Sequence, residues 1–264
     1  MLRTRIYTAL ALLAGFLAVL FVLPKTAVAV AFGLLAALMA WEWAGLMAID
    51  KAGRALFAGV IVVSCLAAYN QPAFAFPKLW MASAAFWLII APLWLWRRWP
   101  MSANDMGGYL VGWLLIVPTW AAMVALQERN PWWLFGAMAL VWVADIAAYF
   151  TGRAHGRHKL APAISPAKTW EGVGGAVVGV LVYGGAVAIV AGVTPFDKLG
   201  WVPLLVALTG VSIVGDLFES MIKRQAGVKD SSNLLPGHGG FLDRLDSQTS
   251  TLPLAALILL GTAL

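Results

Sequence analysis

The chain has 264 residues, of which 62% are hydrophobic and only 11% charged. A soluble domain carries about 25% charged residues, so this composition excludes a soluble globular protein and points to a polytopic membrane protein. The formal charge of +6 would suit a nucleic-acid partner in a soluble protein. In a membrane protein it marks cytoplasmic loops and contact with anionic lipid headgroups, so no nucleic acid is expected.

A helix needs about 20 apolar residues to cross a bilayer. Nine stretches meet or approach that length, at 6–23, 27–49, 55–69, 79–96, 107–126, 132–151, 172–193, 201–219 and 249–264. The expected fold class is therefore an all-α polytopic membrane protein of about nine transmembrane helices. The first stretch follows Arg3 and Arg5 like a signal peptide, but it is too long for one and is taken as a retained span. Cys65, the one cysteine, lies in the third stretch. A lone cysteine excludes an intrachain disulfide and a cysteine-rich zinc site, leaving a small packed hydrophobe. Pro92 and Pro118 fall inside stretches and are expected to kink them. Fourteen Trp suit the membrane–water interface.

The basic residues fix an orientation. With the N-terminus inside, the outer loops hold only Lys25, Lys78, Arg129 and Lys198 of the 18 Lys and Arg. The rest fall inside, which is the bias expected of cytoplasmic loops. The N-terminus is thus read as cytoplasmic, and so are the two long polar loops, 152–171 and 220–246. Residues 1–105 form a set of N-terminal membrane helices, and residues 106–264 carry both polar loops and the chemistry.

Glu42, Asp145, Asp216 and Glu219 lie within or at the ends of apolar stretches. A carboxylate there costs about 2.5–3.5 kcal/mol on insertion scales, which makes each a functional candidate. All four fall toward the cytoplasmic ends of their helices and suggest a polar cavity opening to the cytoplasm. Glu42, between Trp41 and Trp43, reads equally well as a structural or interfacial group. In the first loop, Ser165-Pro166 looks like a helix start. Lys168 and Thr169 would then lie in a first turn, where free N–H groups favour a phosphate. His155 and His158 have no cysteine partners and read as solvated loop residues. In the second loop, Pro236-Gly237-His238-Gly239-Gly240 allows backbone conformations that can form an anion nest. Asp243 and Asp246 follow, on one face if helical. Aspartates beside phosphate binders suggest Mg²⁺, a hard cation that takes oxygen ligands. There is no GxxxxGK[ST] loop and no GxGxxG after a strand, so the nucleotide-binding folds with those signatures are excluded.

Ser220, Lys223-Arg224, Lys229-Asp230, Pro236, His238-Gly239-Gly240, Asp243-Arg244 and Asp246 stand at the spacing of a known signature. In these positions the chain resembles the phosphatidate cytidylyltransferase family, with no departure. The runs Ala144 to Gly152 and Ser165 to Gly172 are also similar to that family. The resemblance implies transfer of CMP from CTP to phosphatidate, giving CDP-diacylglycerol and diphosphate, by a Mg²⁺-dependent homodimer in a bacterial cell inner membrane. It implies Asp216 and Asp243 as main metal ligands, with Asp246 and Asp145 as further ligands or their partners. Lys168, Lys223, Lys229 and Arg244 would bind phosphates, with Thr169 and Arg224 beside them. Ser220, Gly239 and Gly240 would hold phosphate oxygens, and His238 would donate a hydrogen bond or orient the turn. Such a reaction needs no side-chain nucleophile, since the lipid phosphate is already ionised. Two other functions use the same residues: a transferase acting on a polyprenol or other lipid alcohol, and an ion-coupled transporter built on Glu42 and Asp145.

Overall fold

The computed structural model describes residues 2–70, 76–101, 106–192 and 200–261. Nine helices make up these residues: α1 (Leu2–Val22), α2 (Lys25–Leu46), α3 (Lys51–Tyr69), α4 (Phe76–Arg97), α5 (Met106–Arg129), α6 (Pro131–His155), α7 (Trp170–Val190), α8 (Trp201–Gln225) and α9 (Leu242–Gly261). A two-stranded antiparallel hairpin, β1 (Lys159–Ala161) and β2 (Ser165–Thr169), joins α6 to α7. Lys198 and residues 262–264, read above as an outer-loop cation and the end of the last span, lie outside the described residues.

Local chemistry sets the helix starts. Asp50 caps α3 by accepting from Gly53 N at 3.0 Å, and Asn130 caps α6 by accepting from Trp132 N at 2.9 Å, with Pro131 in the first position. The 165–169 expectation is corrected. Ser165-Pro166 does not start a helix; it lies in β2, paired so that Ala161 faces Ser165 and Lys159 faces Thr169. The helix begins at Trp170, and Thr169 is its cap, accepting from Gly172 N at 3.1 Å. Pairing with the 159–161 strand overrides the local Ser-Pro signal.

Among the described residues, seven helices, α2 to α8, are long and apolar enough to cross a membrane. In α1 the run Leu10–Val22 is apolar. In α9 the first half is polar, and Ser247, Gln248, Thr249, Ser250 and Thr251 are all buried. These five are surrounded by protein: α9 packs against α8, α5, α4, α6 and α2. Gln248 Nε2 donates to Met138 O at 3.2 Å, Ser250 Oγ to Val211 O at 2.9 Å, and Thr119 Oγ1 to Thr249 O at 3.2 Å. Polar groups in a membrane protein are tolerated when they are enclosed and paired in this way.

Many of the tryptophans are not interfacial. Trp43, Trp80 and Trp120 are buried and tie helices together by their ring N–H groups, to Gly108 O (2.8 Å), Pro118 O (3.3 Å) and Ala29 O (3.3 Å). Gly112 faces the Trp43 indole so closely that a side chain there would collide with it. Trp96, Trp132, Trp170 and Trp201 remain exposed near helix ends, as the interface reading expects. Pro118 sits within an unbroken α5, while Pro92 follows a π-helical turn at Phe86–Ile90 that interrupts the α4 ladder.

The ends of the helices sort into two groups. Gln225, at the end of α8, bonds Trp99 O and Met101 N beyond the end of α4. Lys25, at the start of α2, reaches Glu128 O at the end of α5. The ends of α4 and α8 thus share one end of the bundle, and the start of α2 lies with the end of α5 at the other. The alternation of basic loops demands the same grouping.

Candidate active site

The functional side chains come from five places in the chain and meet at one end of the bundle. On α8, Asp216 and Ser220 are one turn apart, and Ser220 Oγ donates to Asp216 Oδ1 at 3.3 Å. Lys168, at the end of β2, forms an ion pair with Asp216 Oδ2. Asp145 on α6 and Asp246 on α9 lie close enough to Asp216 for the three charges to act on one another. Small residues permit this convergence. A side chain at Gly215 would come within 3.0 Å of Asp246 O, so α8 and α9 touch at this level. Gly172 approaches Ala148 O, and Gly179 approaches Ala147, bringing α7 against α6.

A cavity of about 520 Å³ opens over this group, lined by Asp145, Tyr149, Arg153, Lys168, Thr169 and Asp216. Arg153 Nη1 donates to the Tyr149 hydroxyl at 3.1 Å, which holds the guanidinium along the α6 face. A second cavity of about 570 Å³ is lined by Lys229, Asp230, Asn233, His238 and Arg244. Arg244 belongs to its wall, and its charge also acts on Asp145, which lines the first cavity.

Other expected phosphate binders are occupied by the protein itself. Lys223 is buried, with its Nζ 2.7 Å from Asp243 Oδ1 and 3.1 Å from Glu219 Oε1. Asp243 Oδ2 accepts from Gly240 N (2.8 Å), Ser231 N (2.8 Å) and Ser231 Oγ (2.9 Å). At this polar head of α9, burial works against the Asp243 charge. The Lys223 ammonium and the Gly240 and Ser231 N–H groups outweigh it and hold the carboxyl below the usual carboxylate range. Arg224 is a staple: its Nε donates to Ile164 O at 3.4 Å and its Nη1 to Val228 O at 3.2 Å, fixing the β-hairpin to the end of α8. The Pro236–Gly240 turn is tight, with Gly237 and Gly239 at φ of 75° and 79°, and Leu235 N bonded to Gly239 O at 2.8 Å. Its Gly240 N–H points at Asp243 and not into either cavity.

Three residues have larger parts than the sequence indicated. Ser231 joins Glu42 to Asp243 through one hydroxyl, Glu219 completes the buried Lys223 cluster, and Glu42 reaches from α2 to the start of α9. Glu42 carried one legible signal, a carboxylate inside an apolar helix. Glu219 carried the same signal together with its spacing of four from Lys223.

Two cavities in which carboxylates and basic side chains are interleaved, at one end of a bundle of helices long and apolar enough to cross a membrane, suit an integral membrane enzyme acting on phosphate esters. The family model for the cytidylyltransferase family matches residues 3–261. A phosphatidate cytidylyltransferase of Pseudomonas aeruginosa is 42% identical, covering 98% of this chain and 97% of its own. One from Haemophilus influenzae is 35% identical over 96% of each chain. One from Brucella suis is 50% identical over 48% of this chain and 45% of its own. The chain belongs to the cytidylyltransferase family.

Proposed function

We infer that this chain transfers the CMP group of CTP to phosphatidate, forming CDP-diacylglycerol and diphosphate. The observation that carries the reading is that Arg244, in the wall of the second cavity beside Lys229, acts by its charge on Asp145 in the wall of the first, where Arg153 and Lys168 stand beside Asp216. Full-length similarity to phosphatidate cytidylyltransferases supports it. Both substrates are anions, and each cavity offers its own basic side chains, Arg153 and Lys168 in the first and Lys229 and Arg244 in the second.

In this reading, the lipid phosphate sits in the 520 Å³ cavity, against Lys168 and Arg153. The CTP phosphates sit in the 570 Å³ cavity, against Lys229, His238 and Arg244. A phosphatidate oxygen attacks the α-phosphorus of CTP, a new P–O bond forms, and the bond to the bridging oxygen breaks to release diphosphate. No proton must be removed from the nucleophile. Catalysis is positioning and charge neutralisation, with Arg244 placed to act on both partners. Lys223, Asp243 and Arg224 act indirectly by holding the loop and the α8–α9 seam.

Magnesium belongs to the proposal. Among the described residues no three Asp, Glu, His or Cys side chains are grouped to hold an ion by themselves. Magnesium is nonetheless bound by one or two carboxylates plus substrate phosphates, and the donors facing the first cavity are oxygens. Asp216 already holds one cation, the Lys168 ammonium. Asp145 and Asp216, which line that cavity, fit the ion, and Asp246, which lines neither cavity, acts on them by its charge. Asp243 fits less well, because both its oxygens are taken by protein donors. When bound, the ion would screen the repulsion between the two phosphates.

CTP is a soluble nucleotide, so the site faces the cytoplasm, in a bacterial inner membrane like that of the relatives' hosts. The functional unit is a homodimer within membrane lipid. The test is incubation of the purified chain with labelled CTP, phosphatidate and Mg²⁺, with polyprenol offered in parallel. With CTP labelled at the α-phosphate, label in a nucleotide-linked diacylglycerol supports the reading; no such label, together with transfer of the γ-phosphate label to polyprenol in a parallel reaction, overturns it.

A further inference from the structure

Glu42 belongs to α2, in the part of the chain whose sequence shows only a generic membrane pattern. Its side chain is buried at 1% exposure, yet four donors lie within hydrogen-bond distance of it. Oε1 accepts from Ser232 Oγ (2.6 Å) and Phe241 N (3.1 Å). Oε2 accepts from Leu242 N (2.7 Å) and lies 3.2 Å from Ser231 Oγ, whose single proton it shares with Asp243 Oδ2 at 2.9 Å. Phe241 and Leu242 are the first free N–H groups of α9, so the carboxylate fills an anion site at that helix start. A side chain at Gly240 would lie 2.5 Å from Glu42 Oε1, which explains why glycine stands there.

We propose that Glu42 is the positioning residue of the 229–244 loop. It takes the place that a bound anion would fill, and so fixes the segment carrying Lys229, His238 and Arg244 against the head of α9. Asp243 takes the neighbouring N–H groups of Ser231 and Gly240, and Ser231 Oγ links the two carboxylates. The Gly240 N–H therefore serves a carboxylate of the protein and is not offered to a substrate phosphate. The role rests on the proposed function only for its activity readout.

Glutamine cannot substitute, because each oxygen faces one backbone N–H and the amide NH₂ would have to point a donor at a donor. Amide hydrogen exchange of the full chain in detergent reads the loop directly. In Glu42→Gln, residues 231–242 are expected to exchange about ten- to a hundredfold faster, with α5 and α6 unchanged. The kcat/KM for CTP should fall by a similar factor, with folding intact. In Glu42→Ala, added formate should restore both protection and activity by filling the vacated acceptor position.

Wild-type exchange in 231–242, faster exchange throughout the bundle, or loss that formate does not reverse would each assign Glu42 to general packing and overturn the proposal. The exchange measurement needs no substrate. A wild-type chain that makes no CDP-diacylglycerol sinks the proposed function and leaves this measurement standing.

Discussion

Lys223 Nζ lies 2.7 Å from Asp243 Oδ1, joining α8 to α9 through a pair whose side chains are 11% and 2% exposed. Two charges this deep are stable only together. Removing one partner leaves the other buried and unpaired, at about 3–5 kcal/mol. Lys223→Met should therefore lower unfolding stability in detergent by that order. The double variant Lys223→Met, Asp243→Asn should lose less than the sum of the two single losses, with a coupling of about 0.5–3 kcal/mol. Strictly additive losses from thermal or denaturant unfolding would mean that the pair is not the seam holding the two helices.

The Lys168–Asp216 pair behaves in the opposite way. Its side chains are 25% and 26% exposed and line an open cavity. A partly solvated pair contributes little to stability, about 0–1 kcal/mol. Lys168→Met should therefore leave the unfolding midpoint nearly unchanged while lowering kcat/KM for phosphatidate about ten- to a hundredfold, the worth of a hydrogen bond to a charged group. Normal turnover in this variant would remove Lys168 from the lipid-phosphate wall.

The metal proposal separates the carboxylates. Asp145→Asn and Asp216→Asn should each raise the magnesium concentration needed for half-maximal activity, because they remove charge from the cavity where the ion would sit. Asp243→Asn should act through stability, since its oxygens already serve Lys223, Ser231 and Gly240. Magnesium titrations of the three variants check this. An unshifted requirement in Asp145→Asn and Asp216→Asn, with a shifted one in Asp243→Asn, would return the ligand role to Asp243.

What the sequence made legible and what it hid follow from the range of the interactions. The apolar runs are local, and the sequence shows them. The spacing of the 220–246 signature is local as well, so it marks the right residues. Their division of labour is not local. Lys223 meets Asp243 across 20 residues, Arg224 meets Ile164 across 60, and Glu42 meets Leu242 across 200. No window of sequence reveals that Lys223 is buried or that the Gly240 N–H is spent on a carboxylate. The Ser165-Pro166 error has the same origin, because its strand partner is set by the tertiary turn and not by Ser-Pro chemistry. The polarity of Ser247–Thr251 reflects a position surrounded by other helices, which is likewise a tertiary fact.

The sidedness of the site is testable with one free cysteine in the chain. Cys65 is buried in α3, so it gives little background to a bulky thiol reagent and can be replaced by alanine. Asn233→Cys places a thiol at the exposed wall of the second cavity, and Thr26→Cys places one near Lys25 at the opposite end of the bundle. The grouping of helix ends requires these two positions to face different compartments. In intact cells, a membrane-impermeant maleimide should label the Thr26→Cys chain and spare the Asn233→Cys chain, and in inverted inner-membrane vesicles the pattern should reverse. A substrate nucleotide made in the cytoplasm cannot reach a site on the other face, so activity and sidedness must agree. Labelling of Asn233→Cys from outside would put the catalytic loop in the wrong compartment for CTP.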